Sequence, residues 1–215
     1  GIEEGRFAYD NVRKVTYLLI STGLAELIIF GLAVFLRAGI PLVAVQLLWL
    51  NLVTNGIQGA ALAFEGGEPD AMARPPRKPQ EGIFNPLMTR QVLASAIVMA
   101  VLAFSFWLYL LNNNVGQTQA RNSVLLMMVL LENVHIFNCR SEHVSAFKVP
   151  LRRNVFLMAG IGLALSLHIF CMNNPFMQAV LGLAPVSIFQ FAGILSLALG
   201  LLLAMELFKK VRSAG

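Results

Sequence analysis

Charge is what this sequence has least of: Asp, Glu, Lys and Arg make up 13% of its 215 residues, against 57% hydrophobic. That balance excludes an ordinary soluble globular chain and points to an integral membrane domain. Cysteine is nearly absent as well. The two present, Cys139 and Cys171, are expected about a membrane thickness apart and so unable to bridge each other. With so few Cys and His side chains, a Zn²⁺ or Cu⁺ centre is a poor reading. The net charge of +5 is not gathered on a soluble face with aromatics between, so nucleic acid is not an expected partner. No internal repeat or low-complexity tract is present.

What is there in quantity is long apolar runs. About 20 apolar residues cross a bilayer core of roughly 30 Å. Six stretches approach that length, at 17–35, 41–64, 92–111, 122–139, 155–172 and 186–207. The expected fold is therefore all-α, a polytopic membrane bundle of six transmembrane helices. The basic residues sort by this topology. Arg6, Arg13 and Lys14, then Arg74, Arg77, Lys78 and Arg90, then Arg140, Lys148, Arg152 and Arg153, then Lys209, Lys210 and Arg212 fall on one side, leaving only Arg37 and Arg121 opposite. Fourteen against two is a positive-inside signal that places both termini in the cytoplasm of a plasma or inner membrane.

The chain divides accordingly. Residues 1–16 read as a charged cytoplasmic stalk helix that runs into the first span, because only Gly5 interrupts it. A first hairpin covers 17–64, a Pro-rich cytoplasmic loop 65–85, a four-helix segment 86–208 and a short tail 209–215. The loop is expected to lie extended, and the outer loops at 112–120 and 173–185 are too short for a folded domain. The charged start leads into a span too long for a signal-peptide core, so no cleaved targeting segment is expected and the chain reads as beginning mid-protein.

The polar exceptions within these spans carry the functional signal. Asn51, Thr54, Asn55 and Gln58 fall within roughly 100° of one helix face in the second span, and Gly56 beside them offers a place for that helix to break open. Of eleven acidic residues only Glu26 and Glu132 sit at the centre of a span, where a charge costs at least a few kcal/mol. Thr22 and Gly23 share the face of Glu26. Carboxylates, amides and hydroxyls at one depth form a hard-oxygen set suited to Ca²⁺, Na⁺, K⁺ or a proton. The bland alternative is that these groups only join helices by hydrogen bonds. His135, three residues beyond Glu132, is placed to modulate that carboxylate or simply to be hydrogen-bonded. His168 stands alone on its span, and Met127, Met128, Met158 and Met172 read as lipid or packing contacts.

Three segments then resemble a known family. The run from Glu3-Glu-Gly-Arg6 through the first span, Leu47-Leu-Trp-Leu-Asn-Leu-Val-Thr-Asn-Gly56 and Met72-Ala-Arg-Pro-Pro-Arg-Lys-Pro79 are similar to the second half of the membrane domain of P-type cation ATPases, nearest the calcium-pump group. The similarity continues through Leu131-Glu-Asn-Val-His-Ile-Phe-Asn138 and Leu165-Ser-Leu-His168. It implies that the six spans are the fifth to tenth helices of such a pump. It also implies a cation site of Glu26, Asn51, Thr54, Asn55 and Glu132, with Thr22, Gly23 and Gln58 as auxiliaries. Where calcium pumps typically carry Asn, Asp and Pro, this chain has Gly23, Asn55 and Gln58. Two carboxylates, even with another from the fourth helix of the remainder, suit one divalent ion or one or two monovalent ions better than two Ca²⁺. The family's Asp-Lys-Thr-Gly-Thr and Thr-Gly-Glu motifs do not occur here. The resemblance thus assigns ATP and Mg²⁺ to cytoplasmic domains outside these residues, and makes the bilayer and the N-terminal remainder of the pump, with its first four helices, the partners.

The leading expectation is the transport half of an ATP-driven pump for Ca²⁺ or a monovalent cation. A six-helix secondary transporter or channel is the rival, disfavoured by the missing repeat. A regulatory membrane subunit is a third reading, under which Glu26 and Glu132 would be dispensable. The topology itself is testable. In a version lacking Cys139 and Cys171, an impermeant thiol reagent applied from outside should label cysteines placed at Asn113 or Asn174 but not at Ala73 or Ser145. Outside labelling at Ala73 would overturn the inside placement of both ends.

Overall fold

A backbone in lipid has no solvent to bond, so apolar runs of this length satisfy their amides within their own helices. The computed structural model describes residues 1–67, 72–73 and 82–214, and it is built from helices joined by turns. In order these are α1 (Ile2–Phe35), α2 (Ala44–Trp49), a π-helical turn (Leu50–Thr54), α3 (Asn55–Leu62), α4 (Pro86–Asn112), α5 (Gln117–Cys139), α6 (Val155–Asn173), α7 (Pro175–Leu181) and α8 (Ile188–Ala214). Two 3₁₀ turns, Ala146–Lys148 and Leu151–Arg153, lie between α5 and α6. Both cysteines are free thiols.

Five of these helices, α1, α4, α5, α6 and α8, are long and apolar enough to cross a membrane. The expected span at 41–64 is not a sixth such helix. It is a composite, α2, π turn and α3, whose middle turn carries Asn51 and Thr54. The expected stalk and first span, by contrast, form one helix. At 1.5 Å per residue the 34 residues of α1 reach roughly 50 Å, well beyond the bilayer core. Residues 209–214 continue α8, whose last turns they form. Most of the Pro-rich loop, including Arg74, Arg77 and Lys78, lies outside the described residues.

Helix ends are closed by local chemistry. At the end of α1 the N–H of Arg37 bonds Val34 O at 3.2 Å and that of Ala38 bonds Ala33 O at 3.0 Å, which puts Arg37 in the left-handed region (φ 52). Asn114 (φ 58) does the same after α4, and Gly182 (φ 64) after α7. Asn85, Asn154 and Asn174 cap the starts of α4, α6 and α7 with their side-chain oxygens. The outer segment 173–185, expected to be only a loop, contains α7, and Gln46 Nε2 donates to Leu181 O at 2.9 Å to hold it against the start of α2.

The centre of the bundle is α5. Residues 124–136 are all buried, enclosed by α1, α4, α6 and α8. A helix that lipid never touches can carry polar side chains, which is why its run is the least apolar of the five. Met127, Met128 and Met172 are packed into this core.

At the basic end, a polar clamp fixes where α3 stops. Arg140, fully buried just beyond α5, donates from Nη2 to Glu65 Oε1 at 2.8 Å and from Nε to both carboxylate oxygens at 3.1 and 3.2 Å. Its remaining donors reach Val149 O and Pro150 O. Asn11 of α1 donates to Ala63 O and Glu65 O, Asn154 to Ala61 O, and Arg153 to Gly66 O. Nearby, Arg13 forms a two-pronged pair with Glu142 at 2.7 and 2.8 Å, and Lys209 of α8 donates to the carbonyls of Asn138, Ser141 and Val144. Burial opposes the charge of Arg13, but the bond and the attraction of Glu142 outweigh it and hold the guanidinium above its usual pKa.

Removing one partner of a buried pair strands the other charge, at a cost of about 3–5 kcal/mol. Glu65→Gln should therefore lower the unfolding midpoint of the detergent-solubilised protein sharply. Arg121→Gln, which removes only an exposed bond to Ile40 O, should move it little. Equal midpoints for the two variants would show that the clamp does not fix α3.

Candidate cation site

The polar stripe of the second span is laid out by the π turn. An α-helix returns its bonds from i to i−4, whereas a π turn takes in one more residue, so residues on either side of it are rotated relative to an unbroken helix. Leu50 O accepts from the Asn55 N–H across this turn. The break expected at Gly56 is thus displaced to Leu50–Thr54, and Gly56 lies inside α3. As a result the four residues do not share one environment. Asn51 is exposed at the edge of the bundle, whereas Thr54, Asn55 and Gln58 are buried.

Two groupings result. At the edge, Asn51 Nδ2 lies 3.1 and 3.4 Å from the carboxylate oxygens of Glu26 and also donates to Leu47 O at 3.0 Å. Inside, Asn55 Nδ2 donates to Thr22 Oγ1 of α1 and to Glu132 Oε1 of α5, both at 3.2 Å. One turn further, Gln58 Nε2 donates to Asn133 Oδ1 at 2.9 Å. Thr22, Glu26, Asn51, Asn55, Gln58 and Glu132 are thereby joined across α1, the broken second span and α5. Thr54 is buried beside them without a bond, and Gly23 makes no side-chain contact.

Several oxygens in this region have no hydrogen-bond partner: Thr54 Oγ1, Asn55 Oδ1, Gln58 Oε1 and Glu132 Oε2 are all buried and unpaired. Each such group costs on the order of 1–3 kcal/mol if left so. A Cβ placed on Gly23 would meet nothing within 4 Å, so the space beside that residue is open. Among the described residues no three His, Cys, Asp or Glu come together. Among the described residues the carboxylates at this site are Glu26 and Glu132, and the other side-chain oxygens are neutral.

The histidines take other roles. His135 does not bond Glu132; its Nε2 lies 2.7 Å from Ser21 Oγ and its ring meets Tyr17 edge-on, with centroids 5.1 Å apart. His168, expected to stand alone, accepts from Trp49 Nε1 at 3.1 Å. Asn133, the partner of Gln58, went unnoticed in the sequence, although an amide beside a mid-span carboxylate is a signal for it. Ser21 gave no such signal, because serine bonds its own helix anywhere in a span.

Residues 39–211 match the family described as cation transporting ATPase, C-terminus. The chain is 30% identical over 180 residues to the "Calcium-transporting ATPase" of Bacillus subtilis, covering 83% of this chain and 20% of that protein. It is 28% identical over 197 residues to the "Probable cation-transporting ATPase F" of Mycobacterium tuberculosis, covering 92% and 22%. To the "Endoplasmic reticulum calcium ATPase srcA" of Aspergillus fumigatus it is 27% identical over 239 residues, covering 97% and 25%. The chain thus spans about a fifth to a quarter of the curated relatives it matches. On the family match and the helical membrane architecture together, the chain belongs to the P-type cation-transporting ATPases and carries their carboxyl-terminal membrane region.

Proposed function

We propose that this chain supplies the ion-binding transmembrane part of an ATP-driven pump, taking one hard cation near the bilayer midplane through Glu26, Asn51, Thr54, Asn55 and Glu132, with Thr22, Gly23 and Gln58 around it. The observation that carries this reading is the set of buried, unpartnered oxygens on Thr54, Asn55 and Glu132, which a cation would satisfy together. In this reading 41–64 is a sixth span, opened by its π turn at the depth of the two carboxylates. Both termini are cytoplasmic, residues 1–16 are the stalk, and 65–85 dock beneath the rest of the pump. The remainder of the pump supplies the first four helices and binds ATP and Mg²⁺.

Calcium is the first candidate, since two of the similar proteins carry it in their names. Two carboxylates neutralise one Ca²⁺. A monovalent cation is the alternative, favoured by the neutral amide of Asn55 between Thr22 and Glu132. A secondary transporter or channel has less support, because the similar proteins are named as ATPases.

Coupling follows from the continuity of α1. One rigid helix carries Arg13 and Asn11 at the basic end and Thr22 and Glu26 at the site, so a tilt imposed on the stalk moves two ligands against Asn51 and Asn55.

Glu26→Gln in the full-length pump should abolish cation-stimulated phosphorylation from ATP yet leave phosphorylation from inorganic phosphate, because only the ion-loaded state signals forward. Normal cation-stimulated phosphoenzyme in the variant would sink the proposal. Asn55→Asp adds a poorly screened negative charge and should tighten divalent binding by about tenfold or more. Isotope binding of Ca²⁺ that is unchanged or weaker would remove Asn55 from the ligand set.

A further inference from the structure

The start of α4 and the end of α8 meet at the basic end of the bundle and leave a groove between them. Its upper part is a cavity of about 580 Å³ lined by Arg90, His143 and Arg212, with Asn85, Pro86 and Leu87. A second cavity of about 490 Å³ shares Leu87, Arg90 and Arg212 with the first. It continues over Leu207, Phe208 and Val211 of α8. Basic groups therefore stand at one end of a continuous channel, and apolar side chains form the floor of the other.

The cations in this groove are unspent. Arg212 Nη1 is buried without a hydrogen-bond partner, and neither Arg90 nor Arg212 makes an ion pair among the described residues. Among the described residues no carboxylate lines either cavity. Two described acidic side chains at this end are engaged elsewhere: Glu142 by Arg13, and Glu206 by the Ala146 N–H and Lys209. Other basic side chains at this end have found partners, as Arg13, Arg140 and Arg153 show. Below them, Leu207 and Val211 are 61% and 66% exposed on a helix that faces the bilayer.

Two guanidinium forks above an apolar channel match an amphiphile with a phosphate head. A guanidinium binds phosphate oxygens in two-pronged fashion, and basic pockets between membrane helices favour anionic headgroups. We propose that this groove is a site for an anionic phospholipid of the surrounding leaflet, its phosphate between Arg90 and Arg212 and its acyl chains along Leu207, Phe208 and Val211. His143 stands beside the headgroup as a further donor. A free phosphate ion would use only the upper cavity and gain nothing from the apolar floor. The site is separate from the cation cluster on α1, the broken second span and α5, so it stands or falls independently of the ion assignment.

The test uses the full-length pump, extracted from vesicles of phosphatidylcholine and phosphatidylglycerol, with co-purifying lipid counted by native mass spectrometry. The wild type should retain phosphatidylglycerol in preference to phosphatidylcholine. Each basic side chain near a membrane surface contributes roughly fivefold, so Arg90→Gln with Arg212→Gln should lower that preference by on the order of twentyfold. Arg37→Gln, at the other end of the bundle, should leave it unchanged. Both arginines lie at the groove surface, so the variant should fold, and an unaltered melting midpoint in phosphatidylcholine alone checks this. A second variant, Leu207→Gln with Val211→Gln, should reduce retention while leaving both arginines in place. Equal retention by wild type and the arginine variant would overturn the proposal. So would displacement of the lipid by inorganic phosphate, which would mark a site for a free anion.

Discussion

The placement of the second span depends on one buried ion pair, that of Arg140 with Glu65. Its guanidinium leaves the end of α5, reaches both oxygens of a carboxylate just beyond α3, and spends its other donors on the carbonyls of Val149 and Pro150. Neither charge tolerates burial alone, so the end of α3 has one acceptable position relative to α5. From that anchor the three residues Gln58, Asn55 and Thr54 count back along the helix to the level of Asn133 and Glu132. Asn11 and Asn154 bind the same end of α3 from α1 and α6, which ties the three elements around it to one register.

With the basic end of α3 fixed there and the start of α2 held at the opposite end by Gln46 on Leu181 O, the segment between must absorb any mismatch in length and rotation. It does so in a π turn, which is found often at functional sites because it frees backbone and re-aims side chains. Here it separates Asn51, on an open edge with Glu26, from Asn55, enclosed with Thr22 and Glu132. Both carboxylates are buried, Glu26 with 8% of its surface exposed and Glu132 with none.

The outer surface is organised by a different balance. Helices α4, α6 and α8 offer lipid large exposed apolar side chains, and the basic residues gather where headgroups would lie. Arg13, Arg140, Arg153 and Lys209 are engaged internally, by Glu142, by Glu65 or by backbone carbonyls. Arg90 and Arg212 face a groove that no carboxylate lines among the described residues. What the protein does not neutralise itself is left for the membrane.

The all-helical class, the membrane environment and the long continuous α1 were determined by the sequence, which also singled out Glu26, Asn51, Thr54, Asn55 and Glu132 as candidate ligands. Each follows from local cost: a carboxylate or amide in an apolar run is expensive wherever the run packs, so its presence alone is informative. Family resemblance on the Leu47–Gly56 and Leu131–Asn138 runs added the order of the helices. Other features were decided only by tertiary structure. A π turn leaves no periodic trace, because it is a response to constraints at both ends of the segment. Glu65 read as part of a linker, since its partner lies 75 residues away in sequence. His135 and His168 found Ser21 and Trp49, not Glu132, because ring nitrogens bond whatever neighbouring helix packs against them. Helix α5 is the least apolar of the five membrane-length helices and yet the core of the bundle, because its residues 124–136 meet protein and not lipid.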